Sequence, residues 1–267
     1  MKRTRLSITG FTLVEMAIVL LIVALLMGGL LPTLSGQVEQ RRHNETGKQL
    51  DEIQQALTGY AVINGRLPCP AFYTDSTNNS NGQESFCANA TGSCGTPQTS
   101  YQTHGKCSNF YSGYVPAATL GLQGTDSSGY AVDSWGNRIR YAVSSWSSTN
   151  PNRPYVFTSQ NGMGIVGVSN PLAPNLSVCS SAPTNTGTSC AAGTSLTANG
   201  VPAVIFSTGK NGGNGGSGTD EAANLDGTNV TFVSHAPTLG ANEFDDIVIW
   251  MSPNVLINRM VVSGKLP

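Results

Sequence analysis

Charge is scarce in this sequence: only 11% of its 267 residues are Asp, Glu, Lys or Arg, and the formal net charge is −1. No basic tract is long enough to track a phosphate backbone, which argues against nucleic acid as a partner. Arg138 and Arg140 occupy alternate positions of a strand-like run and read as its solvated face. Catalytic motifs are also missing. There is no GxSxG, HExxH or CxxC, and His43, His104 and His235 stand apart with no Cys–His arrangement beside them, so the chain reads as a non-enzyme. Two GxGxxG runs, Gly162-Gly164-Gly167 and Gly213-Gly215-Gly218, follow strand-like segments. Neither opens an amphipathic helix, so both read as Gly-rich turns rather than dinucleotide fingerprints. Gly209-Lys210 lacks the spacing of a phosphate-binding loop.

Glycine is abundant, at 31 residues, and Ser, Thr and Asn fill the middle of the chain. Apolar and aromatic clusters recur throughout, so this is a folded, loop-rich protein rather than a disordered one. Six cysteines stand at 69, 87, 94, 107, 179 and 190. Their even number and wide spacing favour disulfides in an oxidising compartment over zinc. Local nested loops need no long-range threading, so the preferred pairs are Cys69–Cys107, Cys87–Cys94 within it, and Cys179–Cys190.

The amino terminus carries the strongest pattern. Residues 1–10 (MKRTRLSITG) are short and basic, and they run into Phe11-Thr12-Leu13-Val14-Glu15 and an apolar stretch ending at Leu31. Leu13 to Leu31 spans 19 residues broken only by Glu15, long enough to cross a bilayer as a helix. A plain signal anchor accounts for everything here except Glu15. An ionisable group inside a spanning helix costs on the order of 3 kcal/mol and calls for a cationic partner at the same depth.

A basic leader ending in Gly, followed by F-T-L-V-E, resembles the leader of type IV pilins and type II secretion pseudopilins. That resemblance implies cleavage by prepilin peptidase between Gly10 and Phe11 and methylation of the new terminus. It makes Glu15 an assembly residue that neutralises the terminal amine of Phe11 on a neighbouring subunit. Pro32 also matches a recurrent pilin position. Loss of Lys2, Arg3 and Arg5 with the leader leaves 11 basic against 15 acidic residues, a net charge of −4.

Beyond Pro32 and Ser35-Gly36, the spacing of Leu50, Ile53, Leu57 and Tyr60 predicts one apolar helical face. The expectation is a stem helix over 11–63, with 11–34 in membrane or filament core and Asn64-Gly65 as its stop. Gly28, Gly29, Pro32 and Gly36 should kink or melt it. Residues 64–130 read as a disulfide-pinned loop region. Strands are expected at 138–146, 154–159, 164–168, 202–207, 229–234 and 245–251, and a last helix from Pro253 to about Val262. Asp133-Ser134-Trp135-Gly136-Asn137 leading to Tyr141 resembles the D-x-W-G-N turn of major pseudopilins. The fold class expected is therefore α+β and pilin-like, a long transmembrane stem packed on an antiparallel sheet, with residues 64–267 as a periplasmic or extracellular head.

The Gly-rich run from Gly209 to Gly216 and the acids before Ile247-Val248-Ile249-Trp250 resemble the calcium loop of the major pseudopilin. By that resemblance Asp245 and Asp246 are metal ligands, with Asp220 a plausible third oxygen donor and Glu221, Asp226 and Glu243 weaker ones. Residues 224–242 interrupt what is a continuous loop in the family, and the alternative is that these acids merely terminate a sheet edge. The function implied is a structural subunit of a pilus or pseudopilus, its partners being copies of itself or other pilins, prepilin peptidase, an inner-membrane assembly platform and, before assembly, the membrane. The alternatives are a type II secretion pseudopilin driving protein export, or a tip adhesin or minor pilin that binds a surface ligand or DNA, the adhesin through the loops at 71–106 or 170–200.

Overall fold

A computed structural model describes residues 10, 12–74, 79–149, 154–167, 172–182, 190, 194–214, 216 and 218–266; inside the first helix the side chains of 27–35 are not described. The cleavage residue Phe11, residues 1–9, the ring of Pro32 and much of the loop at 170–200 lie outside what is described. The chain forms two compact units, Met1–Asn44 and Glu45–Pro267.

One helix, α1, runs Leu13–Asn64. Its start has a local cause. Thr12 and Glu15 form a reciprocal capping box: Glu15 N–H donates to Thr12 Oγ1 at 3.3 Å, while Thr12 N–H and Oγ1–H both donate to Glu15 Oε2 at 2.9 Å. These bonds hold the Glu15 carboxyl below its usual range. The helix is continuous across Gly28, Gly29, Pro32 and Gly36, so the expected local melting is absent. Its end is the expected one: Gly65, at φ 68°, donates to Ala61 O at 2.8 Å.

The expectation of a pilin-like fold built on a transmembrane stem is corrected here. Among the described residues no helix is long and apolar enough to cross a membrane. Apolar side chains are described over Leu13–Leu26 of the helix. Glu39, Arg41, Arg42 and Glu45 then make the following turns polar.

The larger unit is a mixed α/β fold in three layers. Its central sheet is antiparallel with order β2-β1-β3-β4-β7-β9, formed by Asn79–Glu84, Ala71–Tyr73, Gly113–Tyr114, Arg140–Val143, Ala203–Ser207 and Ile247–Trp250. Side chains alternate across it, as the two-residue period requires. Tyr141, Val143, Ala203 and Ile205 face a core shared with Leu50, Ile53, Leu57 and Ala61 of α1 and with Leu256 and Met260 of α5 (Pro253–Val262). Ala142, Val204, Phe206 and Val248 face the opposite core. There they meet β5 (Leu176–Cys179), β8 (Thr231–Val233) and α4 (Thr219–Leu225). Covering on both faces explains why β7 reads as an unbroken apolar run.

The second sheet, β6-β5-β8 with β6 at Leu196–Val201, departs from the expected all-antiparallel head, because β5 pairs with β8 in parallel. Three more expectations are corrected. The strand expected at 164–168 is replaced over its first three residues by a short helix, α3 (Gly162–Val166), and Val168 lies outside the described residues. The 154–159 segment makes only an isolated bridge, Ser147 with Tyr155. The region 64–130 contains β1, β2, β3 and a one-turn helix, α2 (Ala117–Leu120), rather than loop alone. Disulfides join Cys69–Cys107, Cys87–Cys94 and Cys179–Cys190, the nested local pairs.

Where α1 hands over to the sheet, Arg66 and Glu84 form a buried ion pair. Arg66 Nη1 and Nη2 donate to Glu84 Oε2 and Oε1, each at 2.7 Å, with both side chains under 10% exposed. The guanidinium lies 4.4 Å from the Tyr101 ring centre and 5.2 Å from that of Tyr60. Glu84 also accepts from Cys69 N–H at 3.2 Å and from the Tyr60 hydroxyl at 3.2 Å. Glu84→Ala leaves a buried guanidinium uncompensated and should cost about 3–5 kcal/mol in urea unfolding with the disulfides intact. A loss below about 1 kcal/mol would mean that the aromatic rings alone carry the cation.

Candidate metal centre

The acids at the end of β7 and the start of β9 are brought together by pairing. Ser207 lies opposite Ile247, so Gly209–Asn211 and Asp245–Asp246 leave the sheet at the same corner. One carboxylate oxygen from each of Glu221, Asp245 and Asp246 lies within 4.8 Å of the others. Of the acids singled out from the sequence, Asp245, Asp246 and Glu221 are brought together, and Asp220 is not among them. Consecutive residues on a helix point about 100° apart, so at α4 only one of the two can face the pair.

Asp220 is committed elsewhere. Its Oδ1 accepts from Ala182 N–H at 2.6 Å and Ser181 Oγ at 3.1 Å, and its Oδ2 from Asn242 Nδ2 at 3.1 Å, with His235 Nε2 at 3.2 Å. It fastens the stretch after Cys179 to the loop that follows β8. Asp226 caps its own turn through Thr228, and Glu243 is outside the cluster.

The cluster has a dense shell of donors and two gaps. Glu221 accepts from Asp245 N–H at 2.9 Å and from Asn211 Nδ2 at 3.0 Å. Asp245 Oδ2 accepts from the Lys210 and Asn211 amides at 3.1 and 3.3 Å. Asp246 Oδ2 accepts from Asn224 Nδ2 at 2.7 Å. Asp245 Oδ1 and Asn211 Oδ1 are buried and have no hydrogen-bond partner among the described residues. Glycine makes this closeness possible. At Gly209 (φ 61°) a Cβ would fall 2.0 Å from Asp245 Oδ1, and at Gly216 (φ 76°) 2.7 Å from Glu221 Oε2.

Three carboxyls crowded together repel as anions. Burial, then the Glu221 charge, pushes Asp245 up to about 6, and burial pushes Asp246 up to about 7 against the opposing Asn224 bond. An all-oxygen set on a Gly-rich loop, with orphaned carboxylate and amide oxygens, suits a hard cation of calcium type. The residues that would hold it are Glu221, Asp245, Asp246 and Asn211.

The D-x-W-G-N turn is tied to this corner. Buried Asp133 accepts from the Trp135 and Asn137 amides at 2.9 and 2.8 Å and from Ser207 Oγ at 2.6 Å. Asn137 Nδ2 in turn donates to Gly209 O at 2.6 Å. Asn211 and this Asp133–Ser207 brace were not singled out as part of the site from sequence. Among the other residues considered, Arg138 pairs with Asp126 at 2.6 Å and lies over the Tyr73 and Tyr130 rings, a packing role. No protein-family model, curated protein or solved structure matches this chain.

Because these two carboxyls are raised above their unfolded value near 4, they favour folding while protonated and lose that contribution as pH rises through about 6–7. In EDTA the Tm should therefore fall between pH 4.5 and 7.5. Millimolar calcium should restore it at pH 7.5, and Asp245→Asn should abolish most of that restoration. A calcium-independent Tm at pH 7.5 would remove the metal assignment.

Proposed function

We propose that this protein is a non-enzymatic filament subunit of the type IV pilin and pseudopilin class, processed after Gly10 and assembled through its amino-terminal helix. The observation that carries the reading is the surface of Leu13–Leu26. Leu13, Val14, Leu20, Leu21, Leu25 and Leu26 are all more than 60% exposed, and Met16, Ile18, Val19, Ile22 and Val23 are 44–52% exposed. The segment is apolar on every side, not along one stripe. A helix of that kind is stable only when surrounded, and copies of the same helix provide equivalent apolar surface.

The leader sequence before Phe11 supports processing, and the three disulfides fit a head that works outside the reducing cytosol. A bound calcium would stiffen the corner where β7, α4 and β9 meet, neutralising the acids that otherwise repel. The brace from Asp133 to that corner favours a role in holding the head's shape in the assembled filament.

Intact mass of the protein from its native source, before and after reduction, tests the reading. The expected species begins at a methylated Phe11 and gains six hydrogens on reduction. A species retaining residues 1–10, or cut elsewhere, overturns the assignment.

A further inference from the structure

A pocket of mixed polarity opens in the larger unit between the Cys87–Cys94 loop and the run from Lys106 to Tyr111, with Ser145 and Tyr155 completing its wall. Its volume is about 550 Å³, within the range of small-molecule sites. Three of the lining side chains are aromatic. The Phe110 ring centre lies 5.0 Å from that of Tyr155, at an interplanar angle of 33°, and 6.2 Å from that of Tyr111. All three are half-buried. Phe110 packs inward on the core beneath α1 and α5, and Tyr111 on the opposite core, so the ring surface left open to the pocket has a fixed backing.

The polar groups beside the rings are held just as firmly. The Tyr111 hydroxyl pairs with Ser145 Oγ, and Asn175 Nδ2 donates to these two oxygens at 3.1 and 3.2 Å. Asn109 Oδ1 accepts from the Tyr111 and Ser112 amides at 3.0 and 2.9 Å, which sets the turn that presents Tyr111. The Cys69–Cys107 and Cys87–Cys94 disulfides cross-link the adjoining wall. One charged side chain lines the pocket, and none of its described lining residues is acidic. Lys106 Nζ donates to Gly92 O at 2.7 Å, which fixes the ammonium at the edge of the pocket with two further protons to give.

We infer that this pocket binds an acidic saccharide, a pyranose bearing a carboxylate, with the sugar ring against the aromatic side chains and the carboxylate at Lys106. A pyranose has apolar C–H faces and a rim of hydroxyls, so it needs flat apolar surface and hydrogen-bonding groups side by side. Tyr155, Phe110 and Tyr111 supply the surface, and Ser145 and the Tyr111 hydroxyl supply partners for the rim. The lone cation, in a wall without acids, selects the carboxylate-bearing sugar over its neutral counterpart. Rings of few rotatable bonds, polar groups already oriented and two disulfides leave little ordering to be done on binding. The site lies wholly in the head and stands independently of how the filament assembles.

Binding of the full chain, disulfides intact, to an immobilised panel of oligosaccharides ending in sialic acid, in a uronic acid or in matched neutral sugars tests this. The unaltered protein should retain the acidic members and bind the neutral ones at least about fivefold more weakly. Lys106→Gln should erase that difference, and Tyr155→Ala should weaken binding to every member at least about tenfold. Lys106→Gln leaves all three rings in place, so it keeps the test decisive even if Tyr155→Ala lowers the Tm. No retention of any acidic member, equal or better retention of the neutral ones, or acidic binding untouched by Lys106→Gln each overturns the site. None of these outcomes bears on the filament reading, since no step of the assay reads assembly.

Discussion

Arg66 and Glu84 fix the point on which the larger unit is organised. The pair lies where α1 stops and the first strand of the sheet begins, and the rings of Tyr60, Phe86 and Tyr101 lie against its guanidinium. Glu84 simultaneously holds the backbone of Cys69, whose disulfide partner Cys107 pins the far end of the long excursion between β1 and β3. One buried carboxylate thus ties a helix terminus, two strands and a cross-link. Partial satisfaction would be costly, since a buried ion retains its desolvation penalty when its partner is lost. That cost selects a single arrangement of helix on sheet.

From that anchor the packing propagates by alternation. Residues of β4 and β7 take turns on the two faces of the central sheet, so one apolar run serves both the α1–α5 layer and the small β5–β6–β8 sheet. The same register sets Ser207 against Ile247, and so determines where the Gly-rich loop and the paired acids emerge. The acidic corner therefore follows from strand pairing, while its tightness follows from glycines that admit carboxylates where a side chain could not fit.

How much of this was legible in the sequence depends on whether an element's stability is encoded locally. The second half of α1, β7, β9 and α5 declare themselves through apolar period and caps. β2 (Asn79–Glu84) is polar and glycine-containing, so it has no strand pattern of its own and forms because β1 and Glu84's buried partner hold it. β5 and β6 are hidden among Ser, Thr and Asn for the same reason. Gly162–Val166 misleads in the opposite direction, a short apolar run that suits strand or helix equally. Within the site, Asp245 and Asp246 are readable as a pair before an apolar strand. The choice of Glu221 over Asp220 depends on helical phase relative to a loop 24 residues away. Glu15 teaches a related lesson: T-x-x-E is a capping signature, and its carboxylate has a local use before any intermolecular one.

The central claim is that the amino-terminal helix is covered by other copies of the chain, and amide hydrogen exchange of Leu13–Leu26 in sedimented assemblies against dilute monomer tests it most directly. The account predicts strong protection in the assemblies and fast exchange in the monomer, with the exchange of Leu50–Ala61 unchanged between them. Equal exchange of the segment in both states, or protection already complete in the monomer, would contradict it.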